Sequence, residues 1–173
     1  IAIDGYSASG KGTVADLLAK KLGYLRVDSG KFYRSIAYIG LKENIDFESD
    51  DAIIKLANSI DFEYRNNEMF ANGENVSDKL KTKEIDTLVI RVCEIYEVRH
   101  IVNKKIRGIR KFYDIIIDGR DTTSAVFPDA DVKVYLTASF ETRVKRRYDE
   151  YIKAVNSKIY VDKTGILSAV NGY

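Results

Sequence analysis

The chain has 173 residues, of which 45% are hydrophobic and 31% are charged, and its net charge at pH 7 is +2. These values are typical of one globular domain, 1–173, and the small net charge argues against a protein that coats nucleic acid or adheres to membranes. The single cysteine, Cys93, excludes an internal disulfide and a cysteine metal cluster. No apolar run is long enough to span a bilayer and no signal peptide is visible, so we expect a cytoplasmic protein.

A glycine-rich stretch follows the first predicted strand, Ile1 to Asp4. Its letters, GYSASGKGT, have the spacing G-x-x-x-x-G-K of phosphate-binding loops. Glycines let backbone N–H groups turn inward around a phosphate chain, and the helix that follows directs the positive end of its dipole at the same anion. The lysine adds a mobile positive charge. We therefore predict that a nucleoside triphosphate binds to Gly5, Tyr6, Ser7, Ala8, Ser9, Gly10, Lys11, Gly12 and Thr13.

The loop departs from the usual motif at one position. Gly12 stands where Ser or Thr is usual, and the hydroxyl comes one residue later, at Thr13. Small nucleotide kinases share this GKGT variant, so Thr13 is a candidate ligand of Mg²⁺. A glycine-rich turn that binds nothing remains the structural alternative.

The next elements alternate between helix and strand. Apolar residues at helical spacing after Thr13 predict a helix that ends at Gly23, and Tyr24 to Val27 reads as a second strand. Because a helix connects the two strands, we expect them to lie parallel in one sheet. The letters Asp28-Ser29-Gly30 then predict a turn and the start of another helix.

The pattern changes in the middle of the chain. Residues Asp50 to Ser59 read as a helix, and the alternating residues around Asn66-Asn67 predict a β-hairpin, because asparagine tolerates the positive φ of such turns. A helix-rich region follows from Thr82 to Lys111. We interpret 61–111 as an insertion between elements of the parallel sheet, able to move.

The sheet pattern resumes at Tyr113 to Ile117, which is almost entirely apolar and therefore buried on both faces. Val132 to Leu136 is a further predicted strand, Phe140 to Tyr151 a basic helix, and Ile159 to Val161 a last short strand. Strands that alternate with helices predict an open, doubly wound α/β sheet.

Ligands of such sheets bind beyond the carboxyl ends of the strands, where this chain places acidic residues. Asp118 ends the apolar strand, where small phosphoryl-transfer proteins place the acid that holds Mg²⁺, often through water. Asp28 is a second candidate. A carboxylate in such a position can also simply cap a turn.

Several arginines are placed to bind phosphate, since the guanidinium fork matches two phosphate oxygens. Arg34, Arg99 and Arg120 lie near an end of the sheet or on the insertion. Three more recur on the basic helix at spacings that place at least two on one face: Arg143, Arg146 and Arg147. These three could meet the triphosphate or only solvent.

Taken together, the motifs resemble the bacterial cytidylate kinase family. The strings that carry the resemblance, in order, are GYSASGKGT, DSGKFYR, ANGENVSDKLKT, YEVR, DGRDTTSAVFPDADVKVYLTAS and TRVKRR. The resemblance implies a three-layer α/β/α P-loop kinase fold with a parallel sheet of about five strands, a monophosphate-binding insertion and a small lid. It also implies a monomer.

The activity implied by the resemblance is Mg²⁺-dependent phosphoryl transfer from ATP to CMP or dCMP. Family positions that line the acceptor site match Ser29, Arg34, Arg99, Arg120 and Asp121. Arg34 and Arg120 would hold the CMP phosphate and, with Lys11, act in catalysis. Arg99 and Asp121 would read the base, and Arg143 and Arg147 would contact ATP. No general base is needed, because a monophosphate oxygen is already ionised at neutral pH.

The chain departs from the family pattern in two places. A serine that contacts the base aligns with Ile90, and only a short segment separates Arg147 from Ile159, where the family carries its lid. Either the lid is absent, or lid residues are missing from the sequence with a join near Tyr151 to Ala154. We favour the second explanation and expect an incomplete lid at about 148–156.

Two other functions fit the same motifs. One is a different small P-loop kinase that acts on UMP, AMP or an alcohol, and an alcohol acceptor would require Asp28 as a base. The other is a nucleotide-binding module that has lost catalysis, which the short segment after Arg147 favours.

Overall fold

The structure, a computed structural model, describes residues 1–65 and 67–161. The chain forms two compact units. The first unit comprises Ile1–Gly5 and Lys11–Tyr135, and the second comprises Tyr6–Gly10 and Leu136–Tyr173. In the described ranges no helix is both long enough and apolar enough to cross a membrane.

The first unit contains nearly all of the regular elements. In chain order they are β1 Ala2–Asp4, α1 Lys11–Leu22, β2 Leu25–Asp28, α2 Ser29–Lys42, α3 Asp50–Ser59, β3 Phe62–Arg65, β4 Glu68–Ala71, β5 Glu74–Asn75, a 3-10 turn Ser77–Lys79, α4 Lys83–Glu94, α5 Tyr96–Ile109, β6 Ile115–Asp118, a π-helical turn Thr122–Val126, and β7 Lys133–Tyr135. The second unit contributes α6, Phe140–Val161.

A parallel sheet of four strands, flanked by helices, confirms the predicted α/β fold. Its strand order is β2-β6-β1-β7, and every neighbouring pair runs parallel. The register places Asp28 of β2 opposite Asp118 of β6, and Ile3 of β1 opposite the same aspartate. Ile115 to Ile117 are buried as predicted, and Asp118 at the end of β6 is buried too, but Tyr113 and Asp114 precede the strand and are exposed. The aspartates that end β1, β2 and β6 therefore lie together at the carboxyl-terminal end of the sheet.

The predicted last strand, Ile159 to Val161, is wrong. Helix α6 continues through these residues, so the described part of the parallel sheet has four strands rather than about five. These β-branched and aromatic residues favour a strand by propensity, but each residue added to an existing helix gains a backbone hydrogen bond. The expected lid region, 148–156, also lies in this helix.

Local signals in the sequence place most helix ends correctly. Helix α1 ends before Gly23, whose φ is +70°, and the carboxylate of Asp28 caps α2 by accepting from the Gly30 amide at 2.9 Å. The helix at Asp50–Ser59 is confirmed. The helix-rich region divides at Ile95, whose extended ψ of 116° separates α4 from α5 without a proline to signal it.

The insertion begins with the predicted hairpin, in which β3 and β4 pair antiparallel across Asn67 at φ +63°. Strand β5, which the sequence analysis did not identify, adds a third strand. Two hairpin side chains bond to β2 at the edge of the parallel sheet. Asn67 Oδ1 accepts from the Arg26 amide at 3.1 Å, and the Tyr64 hydroxyl accepts from the Asp28 amide at 3.2 Å. These two hydrogen bonds take the place of those that a further strand would make with the outer side of β2. The predicted mobility of the insertion stays a prediction.

Asp4 joins the end of β1 to the segment that follows β6. Its buried carboxylate accepts from the amides of Thr122 and Thr123 at 2.7 and 3.0 Å, and from both threonine hydroxyls. Burial acts to raise the pKa of Asp4, but these four hydrogen bonds outweigh it, so the pKa lies below its ordinary value. The ionised carboxylate thus holds the segment after β6 against β1.

We predict that Asp4→Asn lowers the free energy of unfolding by about 1–3 kcal/mol at neutral pH, because the new NH₂ group would face N–H donors. Because the pKa of Asp4 is lower in the folded protein than in the unfolded chain, its ionised carboxylate stabilises the fold at pH values above the unfolded pKa of about 4. This stabilisation is lost as the pH falls through the folded pKa. The difference in the free energy of unfolding between wild type and variant, measured by urea titration, should therefore become smaller below about pH 4.

The matched control is Asp129→Asn, which changes an exposed aspartate paired with Arg110. This control should stay within about 0.5 kcal/mol of wild type, since exposed ion pairs contribute little. A variant at Asp4 that is as stable as wild type at neutral pH would show that the four bonds are not stabilising.

Candidate active site

Lys11 lies at the carboxyl end of the parallel sheet, among the acidic strand ends. Its ammonium donates to the Gly5 carbonyl at 2.7 Å. Burial lowers the pKa of Lys11 most, the charge of Arg120 lowers it further, and the nearby carboxylates of Asp118, Asp4 and Asp28 oppose this shift. The register of β1, β2 and β6 places these aspartates at the carboxyl ends of neighbouring strands, and their charges act on Lys11.

Asp118 is buried and paired with a residue that the sequence analysis missed. Arg26 Nη2 lies 2.7 Å from Asp118 Oδ1, and the two side chains are 10% and 11% exposed. Burial raises the pKa of Asp118, while the Arg26 charge is the largest effect that lowers it. The signal for Arg26 was present in the sequence, because a charged residue stands inside the otherwise apolar second strand.

The carboxylates at the strand ends suit a metal ion that keeps most of its coordinated water molecules. Among residues 1–65 and 67–161, no group of three or more acidic, histidine or cysteine side chains could hold a metal. Mg²⁺ is commonly held by one or two carboxylates together with waters and phosphates, so Asp118 fits such an ion. Asp28 fits less well, because one of its oxygens caps α2. Thr13 is exposed on α1.

The candidate acceptor residues come together in the first unit. Arg99 of α5 forms an ion pair with Asp121, which follows β6. Arg34 of α2 lies 2.6 Å from Asp86 of α4 and donates to the Leu80 carbonyl at 2.8 Å. Two of the three predicted phosphate-binding arginines are thus already paired with carboxylates.

The thiol of Cys93 is affected by the charges of all three acceptor arginines. Burial raises the pKa of its thiol, and the charges of Arg120, Arg99 and Arg34 act together to lower it. Cys93 lies on α4 and is partly buried. Arg120 is exposed and has no ion pair within the described part of the chain.

Ser29 and Gly119 fix the backbone beside the acceptor residues. The buried Ser29 hydroxyl donates to the Asp118 carbonyl at 2.9 Å. A Cβ at Gly119 would overlap both Ser29 Oγ and the Thr122 methyl group, so only glycine fits at this point. Ile90, which aligns with the base-contacting serine of the resembled family, is 61% exposed on α4.

In the second unit, an arginine from α6 contacts the glycine-rich loop. Arg146 Nη1 donates to the Ser9 carbonyl at 2.9 Å and to the Ala8 carbonyl at 3.3 Å. A Cβ at Gly10, where φ is +100°, would lie 3.3 Å from the same nitrogen. Glycine therefore permits both the turn and the close approach of Arg146.

The two arginines predicted to contact ATP differ in their surroundings. The Arg143 guanidinium lies 4.9 Å from the ring centre of Tyr6 and 5.7 Å from that of Phe140. Arg147 is exposed and pairs with Glu150 at 3.2 Å. Arg143 and Arg146 thus meet the Tyr6–Gly10 segment, whereas the described contacts of Arg147 are within α6.

Comparison with known proteins agrees with this arrangement. A model of the cytidylate kinase family matches residues 1–169. The chain is 39% identical over 171 residues to a cytidylate kinase of Flavobacterium johnsoniae, which covers 94% of this chain and 74% of the relative. It is 43% identical over 150 residues to a cytidylate kinase of Caldanaerobacter subterraneus, and this alignment covers 87% of this chain and 67% of the relative. It is also 43% identical over 152 residues to a cytidylate kinase of Mycoplasmopsis synoviae, with 87% of this chain and 70% of that relative covered.

Proposed function

The chain belongs to the cytidylate kinase family of nucleoside monophosphate kinases, and on that premise we propose that it transfers the γ-phosphoryl group of ATP to CMP or dCMP, giving CDP or dCDP, with Mg²⁺. The single observation that carries the proposal is the pairing of Arg99 with Asp121 beside the other acceptor arginines. These are the groups that a cytosine base and a phosphate would require.

Asp121 supplies the chemistry to distinguish cytosine from uracil. Cytosine presents an amino donor at position 4, which a carboxylate accepts, whereas uracil presents an acceptor there, which a carboxylate repels. Arg99 fixes the carboxylate and offers further N–H donors to the base. Asp121 is 28% exposed, and a bound base would bury it further. A carboxylate that a substrate buries against a mismatched group discriminates strongly between substrates, so this pair favours cytosine.

Arg34 and Arg120 are proposed to hold the CMP phosphate. Arg120 is free of ion pairs in the described residues and can bind an anion directly. Arg34 must exchange Asp86 for the phosphate, but Asp86 is 56% exposed, and exposed ion pairs contribute only about 0–1 kcal/mol. Its bond to the Leu80 carbonyl can remain and orient the guanidinium.

For the donor, we propose that the loop from Gly5 to Thr13 binds the ATP phosphates, with Lys11 beside the transferred group and Arg143 and Arg147 as further contacts. Bound Mg²⁺ would neutralise charge on the phosphates, and Asp118, with Asp28 and Thr13 as further candidates, would hold it through water. Lys11, Arg34 and Arg120 would orient the reactants and offset negative charge in the transition state.

We further propose that the protein is a single domain with a monophosphate-binding insertion at 61–111 and an incomplete lid, and that it is a cytoplasmic monomer with no nucleic-acid or membrane partner. No described contact favours an alcohol acceptor, because one oxygen of Asp28, the base that such a reaction would need, already caps α2.

We predict that ADP release from ATP and Mg²⁺ is fastest with CMP or dCMP as acceptor, and that kcat/KM for UMP and AMP is about tenfold or more lower, because a mismatched buried polar group costs about 1–3 kcal/mol. A coupled ADP-release assay with all four acceptors makes the measurement. Preference for UMP or AMP would contradict the proposal, and ATP binding without turnover would favour an inactive nucleotide-binding module.

A second prediction concerns the residue that reads the base. Asp121→Asn should reduce the ratio of kcat/KM for CMP to that for UMP by about tenfold, because an amide can donate to uracil as well as accept from cytosine. The dissociation constant of ATP should change little. Asp129→Asn, on the exposed surface, is the matched control. Equal losses of CMP and ATP affinity would count against base reading by Asp121.

A further inference from the structure

Arg26 is a buried cation between two apolar residues of β2, Leu25 and Val27. The residue is 8% exposed, although removing a guanidinium from water costs several kcal/mol unless its donors are paired. All of its polar groups find partners in the first unit. Nε donates to Asp16 at 2.8 Å, Nη1 donates to the Val27 carbonyl at 2.5 Å, and Nη2 pairs with Asp118 at 2.7 Å.

These partners lie on different elements of the active site. Asp16 belongs to α1, whose first residue is Lys11, and Asp118 ends β6. A Cβ at Gly12 would lie 3.8 Å from Arg26 Nη2, so the guanidinium sits beside the first turn of α1. Arg26 therefore links the start of α1, β2 and the carboxylate at the end of β6.

The ion pair engages only one oxygen of Asp118. Arg26 Nη2 faces Oδ1, which is buried and accepts no hydrogen bond of good geometry, and no described residue bonds to Oδ2. A carboxylate held by one oxygen in this way keeps a fixed orientation and leaves the other oxygen for a water molecule or an ion. Buried ion pairs add little net stability compared with apolar residues, so stability alone does not explain the arrangement.

We propose that Arg26 is a positioning residue for phosphoryl transfer, which acts by orienting the Asp118 carboxylate relative to Lys11. The inference rests on the proposed role of Asp118 in holding Mg²⁺ through water. Arg26 itself touches neither substrate nor the transferred group. Its effect should therefore appear in the rate of transfer and in the surroundings of the metal, and should depend on the presence of Asp118.

The test is a double-mutant cycle with Arg26→Met and Asp118→Asn, with Arg26→Lys for rescue. Arg26→Met should lower kcat about tenfold or more, since small misplacements of catalytic groups cost up to about a hundredfold. The KM for CMP should stay within about twofold, and Arg26→Lys should recover part of kcat. In the Asp118→Asn background, Arg26→Met should add less than about a twofold loss.

A second readout is independent of turnover. With Mn²⁺ and ATP bound, the electron paramagnetic resonance spectrum of Arg26→Met should change in the same way as that of Asp118→Asn. The matched control is Asp16→Asn, which removes the 69% exposed partner of Arg26 but keeps the bond to Asp118, and it should leave both kcat and the spectrum near wild type.

Several results would overturn the inference. If Arg26→Met keeps the wild-type kcat, Arg26 does not act on transfer. If the double variant loses kcat by the product of the two single losses, Arg26 does not act through Asp118. If Arg26→Met does not fold, Arg26→Lys in the same cycle decides, because lysine keeps the charge but not the fork. If Asp118→Asn itself retains wild-type kcat, the proposed metal role of Asp118 fails. A loss in Asp118→Asn but none at Arg26 refutes only the present inference.

Discussion

The carboxylate of Asp4 is the group on which the arrangement of the acceptor residues depends. It accepts four hydrogen bonds from two consecutive threonines, Thr122 and Thr123, and thereby ties the segment after β6 to the neighbouring strand β1. Arg120 and Asp121 directly precede these threonines, so their backbone is held from one side by Asp4 and from the other by β6. A segment fixed in this way requires little reordering when a substrate binds.

Charge balance explains the rest of the site. The acidic strand ends are offset by Lys11 and Arg26, and two of the three acceptor arginines are offset by Asp86 and Asp121. The exceptions are informative, because Arg120 has no ion pair within the described residues and Asp118 keeps one oxygen unengaged. The buried, oriented carboxylate of Asp118 needs little reorganisation to interact with an ion, and the exposed Arg120 is available to bind an anion.

Much of this arrangement could be predicted from the sequence. The glycine-rich loop, the helix that ends at Gly23 and the hairpin turn at Asn67 all follow from local signals a few residues long. The acidic strand ends followed from the same local patterns, and only the rule that ligands bind at the carboxyl ends of parallel strands was needed to group them. Resemblance to a family supplied the roles of Arg99 and Asp121, which no local pattern gives.

The contacts that the sequence did not predict join residues far apart in the chain. The bond between Asp4 and Thr122 and the pair of Arg26 and Asp118 both depend on β6 lying between β1 and β2, which periodicity cannot indicate. The strand predicted at Ile159 to Val161 failed for a related reason: its residues favour a strand, but only a neighbouring strand could have paired with them. Long-range pairing, rather than local preference, decided these cases.

If Asp4 prearranges the acceptor residues, folded Asp4→Asn should bind CMP more weakly than wild type. Calorimetric titration at a temperature where circular dichroism shows the variant folded should give a constant about fivefold or more above that of wild type, because ordering two side chains on binding costs about 1–3 kcal/mol. An unchanged dissociation constant would show that Asp4 does not prearrange the acceptor residues.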